Sequence, residues 1–279
     1  MNKMNANLQK NVRAVKNILS AEDILVFHFE TTDGAACAAI YADGICDKDL
    51  LGEQVIRPLS SDKRGDSIDE VAKKLTSPEV KKEKSIQAIA DEVLSGNTAR
   101  IVDGLDSALI IGVKKIPVRT ITAPPTSIAV KGPREGFIED IKTNMALLRK
   151  RLKTGDLQFE TLTVGTRSKS MIAVCYLNGI SDLKVKKQIV DRLKRIEIDG
   201  IPDASYIAKF LAKKPYSMFK QVGTTEKPDI LAAKMLEGRI GIFVDGSPIA
   251  LTLPYILVED FQSVQDYLVS PYRATVSRL

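Results

Sequence analysis

The sequence predicts an α/β fold of two similar subdomains, each a small mixed β-sheet packed with helices, joined by a proline-rich linker. Three observations lead there. A set of short motifs occurs twice in the same order, apolar strand-like runs alternate with amphipathic helical stretches in both halves, and a segment with four prolines separates the halves. At 279 residues the chain is too long for one small domain and comfortable for two. The boundaries expected are 1–115 for the first subdomain, 116–134 for the linker and 135–279 for the second.

Taken in order, Met1 to Ser20 reads as an amphipathic helix with Leu8, Val12, Val15 and Leu19 on one stripe. Asp23 and an apolar strand, Ile24–Phe29, follow. A later helix ends at Leu152 and is followed by Asp156 and the strand Leu157–Val164. Asn11 and Asp23 match Asn144 and Asp156 at a common offset of 133 positions. The next strand of each half ends in a matching string. Tyr41-Ala42-Asp43-Gly44-Ile45-Cys46-Asp47 corresponds to Tyr176-Leu177-Asn178-Gly179-Ile180-Ser181-Asp182, offset by 135. Asp47 and Asp182 stand where an N-cap or first-turn acid satisfies unpaired helix N–H groups. Val185, Ile189, Val190, Leu193 and Ile196 then form a buried helical stripe.

The third match closes each half at an offset of 142. Leu94-Ser95-Gly96 leads to Asp103-Gly104 and Ala108-Leu109, as Leu236-Glu237-Gly238 leads to Asp245-Gly246 and Ala250-Leu251. Gly96 and Gly238 read as left-handed helix caps, and each Asp-Gly pair as a tight two-residue hairpin turn. Each half is therefore expected to run helix, two strands, a helical stretch and a closing hairpin. Pro117, Pro124, Pro125 and Pro133 make the spacer between them semi-rigid, which permits hinging around a ligand.

Composition excludes several function classes. The content of 44% apolar residues is that of an ordinary globular protein. No run approaches the ~18–20 apolar residues of a membrane span, and no secretory leader opens the chain. The net charge of +6 is dispersed, as in Lys81-Lys82-Glu83-Lys84, and reads as solvated helix faces or a weak pull toward an anionic surface. Aromatics are too sparse to interleave with basic stretches as nucleic-acid binding requires, so no nucleic-acid partner is expected. Cys37, Cys46 and Cys175 form no CxxC pair and, with the lone His28, make no zinc pattern; they read as buried thiols. No phosphate loop, dinucleotide fingerprint or nucleophile elbow occurs, and His28 reads as a core or edge histidine of its strand. No catalytic residue, metal or cofactor is expected, and the chain is not expected to be an enzyme.

The second half carries ordered blocks. Lys131-Gly132-Pro133-Arg134-Glu135-Gly136-Phe137-Ile138-Glu139-Asp140-Ile141-Lys142-Thr143-Asn144 runs into Leu147-Leu148-Arg149-Lys150-Arg151. Ser168-Lys169-Ser170, Tyr176 to Ile180, Thr225-Glu226-Lys227-Pro228-Asp229, Leu236-Glu237-Gly238-Arg239, Val244-Asp245-Gly246-Ser247-Pro248 and Phe261 to Tyr267 follow. Over roughly 131–270 this pattern resembles the A subunits of the GerA family of spore germinant receptors. Lys131 and Lys227 stand where that family commonly has Arg, Gln265 where it has Glu, and the spacer Ala123-Pro124-Pro125-Thr126 lacks its acids.

The resemblance implies a soluble, cytoplasm-facing N-terminal region of a subunit of the spore's inner membrane, ending at Leu279 just before a membrane portion. It implies B and C subunits, and other A subunits, as partners. It also implies a role in assembly and signalling for nutrient-triggered germination, with direct germinant binding in a cleft between the subdomains as the alternative. Most of the blocks have a folding explanation. Glu135, Glu139 and Asp140 are expected to load the start of a helix with negative charge, and Arg149, Lys150, Arg151 and Lys153 to load its end with positive charge. Phe137, Ile141, Met145, Leu148 and Leu152 would be its buried stripe. Pro228 and Asp229 suit the first turn of the helix that Gly238 ends. Gly132, Pro133, Gly136, Tyr176, Gly179, Gly246 and Pro248 join these as structural motif residues. Arg134, with Lys131 beside it, and Arg239 have no folding account; arginine suits carboxylate capture from a partner, a ligand or the chain itself. The candidate contact residues are Lys131, Arg134, Glu135, Asn144, Arg239, Lys169 and Glu226.

Overall fold

The structure is a computed structural model describing residues 3–60, 72, 79–114, 135–212 and 220–256. The expected linker 116–134, with Lys131, Gly132, Pro133 and Arg134, lies outside the described residues, as do Phe261 to Tyr267. The chain divides into two units, Met1–Pro117 with Lys153–Asp156 and Val118–Leu152 with Leu157–Leu279.

Unit 1 contains α1 (Leu8–Ile18), β1 (Ile24–Glu30) and β2 (Ala36–Ala42). Next, α2 (Lys48–Leu51) continues through a π-helical turn (Gly52–Ile56) into α3 (Arg57–Ser60). β3 (Val80–Glu83), α4 (Ile86–Leu94), β4 (Thr98–Val102) and β5 (Ala108–Ile111) complete it. Unit 2 contains α5 (Ile141–Arg151), β6 (Leu157–Val164), β7 (Ser170–Leu177), α6 (Leu183–Lys194), α7 (Ala204–Leu211), β8 (Gly223–Thr225), α8 (Pro228–Leu236), β9 (Ile240–Val244) and β10 (Ala250–Leu253). The sheets have one topology, β1-β2-β4-β5-β3 and β6-β7-β9-β10-β8.

Every neighbouring pair is antiparallel, where mixed sheets were expected. The reason lies in the last hairpin. β3 and β4 run the same way with α4 between them, the crossover of a parallel pair. β5 folds back into the gap between them, so no parallel neighbours remain. β8, α8, β9 and β10 repeat the device.

Each sheet is covered on both faces. In unit 1, α1 and α4 pack together and against β2 and β4. On the other face Cys46, Leu51 and Val55 meet Leu109, Ile111 and Val113. In unit 2, Phe137, Ile141, Leu148 and Leu152 pack with Leu231 and Met235 of α8 on Leu157, Phe159, Cys175 and Phe243. Ile189, Val190 and Leu193 of α6 and Ile207 of α7 cover Ile172, Val174, Ile242 and Leu251 behind them. The three cysteines are buried and free, and His28 lies exposed on the edge strand β1.

Two local expectations are corrected. The Asp-Gly pairs are not two-residue hairpins, because five residues separate β4 from β5 and β9 from β10. Only Gly104 and Gly246 have positive φ, at 82° and 83°. Asp103 and Asp245 instead turn their carboxylates onto the first helix of their own unit, receiving the Leu8 amide at 3.0 Å and the Ile141 amide at 3.4 Å. The other correction concerns α5. Glu135, Glu139 and Phe137 precede it, because Asp140 has extended geometry (φ −79°, ψ 114°) and caps the Thr143 amide at 2.7 Å. Asp47 and Asp182 do cap helices, Pro228 does open α8, and Gly96 and Gly238 do end helices, both at φ 93°.

Candidate functional site

Three of the motif blocks, those around Phe137–Asn144, Glu226 and Asp245, converge at one corner of unit 2. The amide of Phe137 donates to the carbonyl of Glu226 at 2.8 Å, tying the strand-like entry segment to the turn before α8. The Phe137 ring meets Phe243 of β9 edge-on at 4.9 Å between centroids. Asn144, fully buried on α5, accepts from the Ile138 amide at 2.8 Å and donates to the Ile138 carbonyl at 2.5 Å. Gly246 donates to the Glu139 carbonyl at 2.8 Å, and Asp245 takes the Ile141 amide. A buried amide side chain that satisfies both backbone groups of one residue is a lock on chain direction.

Unit 1 has the same corner without the motif's sequence. Asn11 accepts from the Asn5 amide at 3.1 Å and donates to its carbonyl at 2.6 Å. Met4 donates to the Lys84 carbonyl at 2.9 Å and Gly104 to the Ala6 carbonyl at 2.7 Å. Lys16 donates to the Ile24 carbonyl at 2.8 Å, and Arg149 to the Leu157 carbonyl at 3.0 Å. Each pair keeps the offset of 133 or 142. Asn144, Asp245, Gly246 and the Phe137 amide therefore build the fold in a way that both units share.

Two of the charged candidates, Glu135 and Arg239, are engaged inside unit 2. Glu135 accepts from Lys150 Nζ and from Arg151 at 2.9 Å each. Burial alone would raise its carboxyl pKa; the hydrogen bonds from the two cations outweigh that and hold it below the ordinary glutamate range. Arg239 is 6% exposed and pairs with Glu237 at 3.0 Å. Arg149, grouped by sequence with the cations that load the helix end, is buried over the Phe159 ring at 5.2 Å. The signal that could have found it is its repeat counterpart Lys16. Lys169 is exposed in the β6–β7 turn with φ 46°, and Glu226 is half-buried. Tyr176 carries Lys186 Nζ 4.9 Å above its ring, and Gly179 has φ 78° in the turn before α6.

A cavity of about 250 Å³ opens in unit 2 between α6, the end of α7 and the chain leaving β10. Its apolar walls include Val185, Ile189, Leu211 and Leu253, and among the described residues its cations are Arg192 and Lys220 and no acid lines it. Arg192 donates to the Leu211 carbonyl at 2.9 Å, and Lys220 lies 5.7 Å from the Tyr255 ring centroid. Sequence reasoning missed this site, since its walls come from four separate segments. Among the described residues no group of three or more His, Cys, Asp or Glu side chains is placed to hold a metal, and no helix is long and apolar enough to cross a membrane.

These features define a duplicated α/β module whose recurring residues secure its own fold. The chain belongs to the family described as Bacillus/Clostridium GerA spore germination protein, which matches residues 12–279. It is 34% identical over 268 residues to spore germination protein KA of Bacillus subtilis, covering 94% of this chain and 49% of that protein. With spore germination protein GerLA of Bacillus cereus it shares 29% identity over 279 residues, covering 95% and 55%. The chain thus spans about half the length of these relatives. Its fold matches the crystal structure of the N-terminal domain of the A subunit of the Bacillus megaterium spore germinant receptor GerK3. The TM-score is 0.72 at 26% identity, over 91% of this chain and 97% of that one.

Proposed function

We propose that this chain is an assembly and signalling region of a germinant receptor A subunit. It faces the cytoplasmic side of the spore's inner membrane, contacts the B and C subunits and passes the occupied state to a membrane portion. The likeness to a receptor A-subunit N-terminal domain over nearly the whole chain carries this reading. The motif corner supports it, because Asn144, Asp245 and Phe137 serve folding. Arg134, Lys131, Lys169 and Glu226 remain the contact candidates. On this reading the chain catalyses no reaction, and signalling is a shift between conformations that a bound partner favours unequally.

The cavity beside Arg192 and Lys220 favours a second reading, direct binding of a small nutrient. At about 250 Å³ it lies just below the ~300–1,000 Å³ of drug-sized sites and suits a smaller molecule. Calorimetric titration of the chain with amino acids and sugars separates the two. The assembly reading expects no saturable heat. Saturable binding that disappears in Arg192→Met establishes the second reading instead.

A further inference from the structure

The two units share their topology, yet one apolar seat is covered in unit 1 and open in unit 2. In unit 1, Ile45 is 5% exposed and Leu94 4% exposed. The chain leaving β5 runs across that place. Val113 accepts the Asp47 amide at 2.8 Å, Cys46 and Lys114 form an antiparallel bridge, and Lys114 lies against Gly96. The counterparts of Ile45 and Leu94 at offsets of 135 and 142 are Ile180 and Leu236, and they are 51% and 57% exposed. Leu183 beside them is 55% exposed. Gly238 holds Ile180 and the end of α8 together, since a Cβ there would lie 3.2 Å from the Ile180 carbonyl oxygen.

The chain leaving β10 does not repeat the cover. Tyr255, the counterpart of Val113, lines the cavity near Lys220. Among the described residues no bridge joins Ser181 to Ile256, and the Asp182 amide, counterpart of that of Asp47, meets no backbone carbonyl. Three exposed apolar side chains around an open backbone donor form a surface that an extended segment completes, by the same backbone contact that unit 1 makes internally.

We infer that Ile180, Leu183, Leu236 and the Asp182 amide form a docking seat for an extended apolar segment of another polypeptide, flanked by acidic residues. The acidic flank follows from charge: Lys184 and Lys187 stand exposed on α6, with Lys187 one turn from Leu183 on the same face. The inference deepens the assembly reading and rests on it, giving it a surface and a kind of partner.

The test uses the whole 279-residue chain and an acetylated peptide with two aspartates ahead of the run Ile-Ile-Gly-Val taken from unit 1. Amide exchange is followed by NMR at millimolar peptide. The expected result is at least tenfold slower exchange at Asp182, lost in Leu236→Lys and in Ile180→Asp, both of which keep the parent's melting temperature because the side chains are exposed. Replacing the two aspartates by lysines should weaken the effect several-fold. Unchanged exchange, or slowing that survives both substitutions, overturns the seat. So does exchange already slow without peptide, whether it quickens on dilution, as a second copy would dictate, or on deleting 257–279, as the chain's own end would. Failure here leaves the calorimetric test of the assembly reading untouched.

Discussion

Glu135 shows how a recognisable residue is used differently from its sequence context. In sequence it reads as an acid loading a helix start and as a candidate contact, but Lys150 and Arg151 reach back from the last turn of α5 to hold it. Its carboxyl pKa lies below the ordinary value near 4.5. A lowered carboxyl pKa means stability that is complete above the unfolded value and lost as pH falls through the folded one. Glu135→Gln should therefore cost about 1 kcal/mol at pH 7 in low salt. The gap to the parent should narrow below pH 4.5 and close once both are neutral; urea unfolding across that range measures it. Arg100 illustrates what residue type alone could not show. It is almost fully buried on β4 with Cys37 Sγ 3.6 Å away, and burial lowers its guanidinium pKa.

At the scale of elements, the repeat was legible because capping and turn chemistry is local. Asp47 and Asp182, Gly96 and Gly238, and Pro228 each act through neighbours a few residues away, so their spacing reveals them. Of the edge strands, β1 and β6 were legible as apolar runs, and β3 and β8 were not. β3 reads Val80-Lys81-Lys82-Glu83 and β8 is three residues long, too short and polar to show an apolar alternation. The reach of Asp103 and Asp245 to a distant helix was hidden for the opposite reason: Asp-Gly chemistry signals a turn and says nothing of partners far along the chain. The paired asparagines give the element-scale prediction. Asn144→Ala leaves both backbone groups of Ile138 without their partner, and Asn11→Ala does the same to Asn5. Each should lower unfolding free energy by about 2–3 kcal/mol. Denaturant titration of the two variants should give similar losses; a loss near zero in either would show that the lock is not shared.

For the whole molecule, composition excluded much and the ordered blocks indicated the family, while the candidate site stayed only partly legible. Blocks spread over more than a hundred residues meet at one corner, and that meeting is a property of the fold. Arg239, read as a gripping cation, is spent within its own unit; the cavity near Arg192 is assembled from segments with no motif, and the open seat at Ile180 and Leu236 lies in motif blocks whose local signal is only that of a turn and a helix cap. The family relationship covers nearly the whole chain and about half of its relatives' length. Function is accordingly expected through what this region touches.

Arg134→Ala in a complete germinant receptor tests that claim most directly, by scoring nutrient-triggered germination of spores beside subunit level and the melting temperature of the isolated chain. Normal level and melting temperature are expected, with germination slowed at least tenfold. Germination at the parent's rate would contradict it.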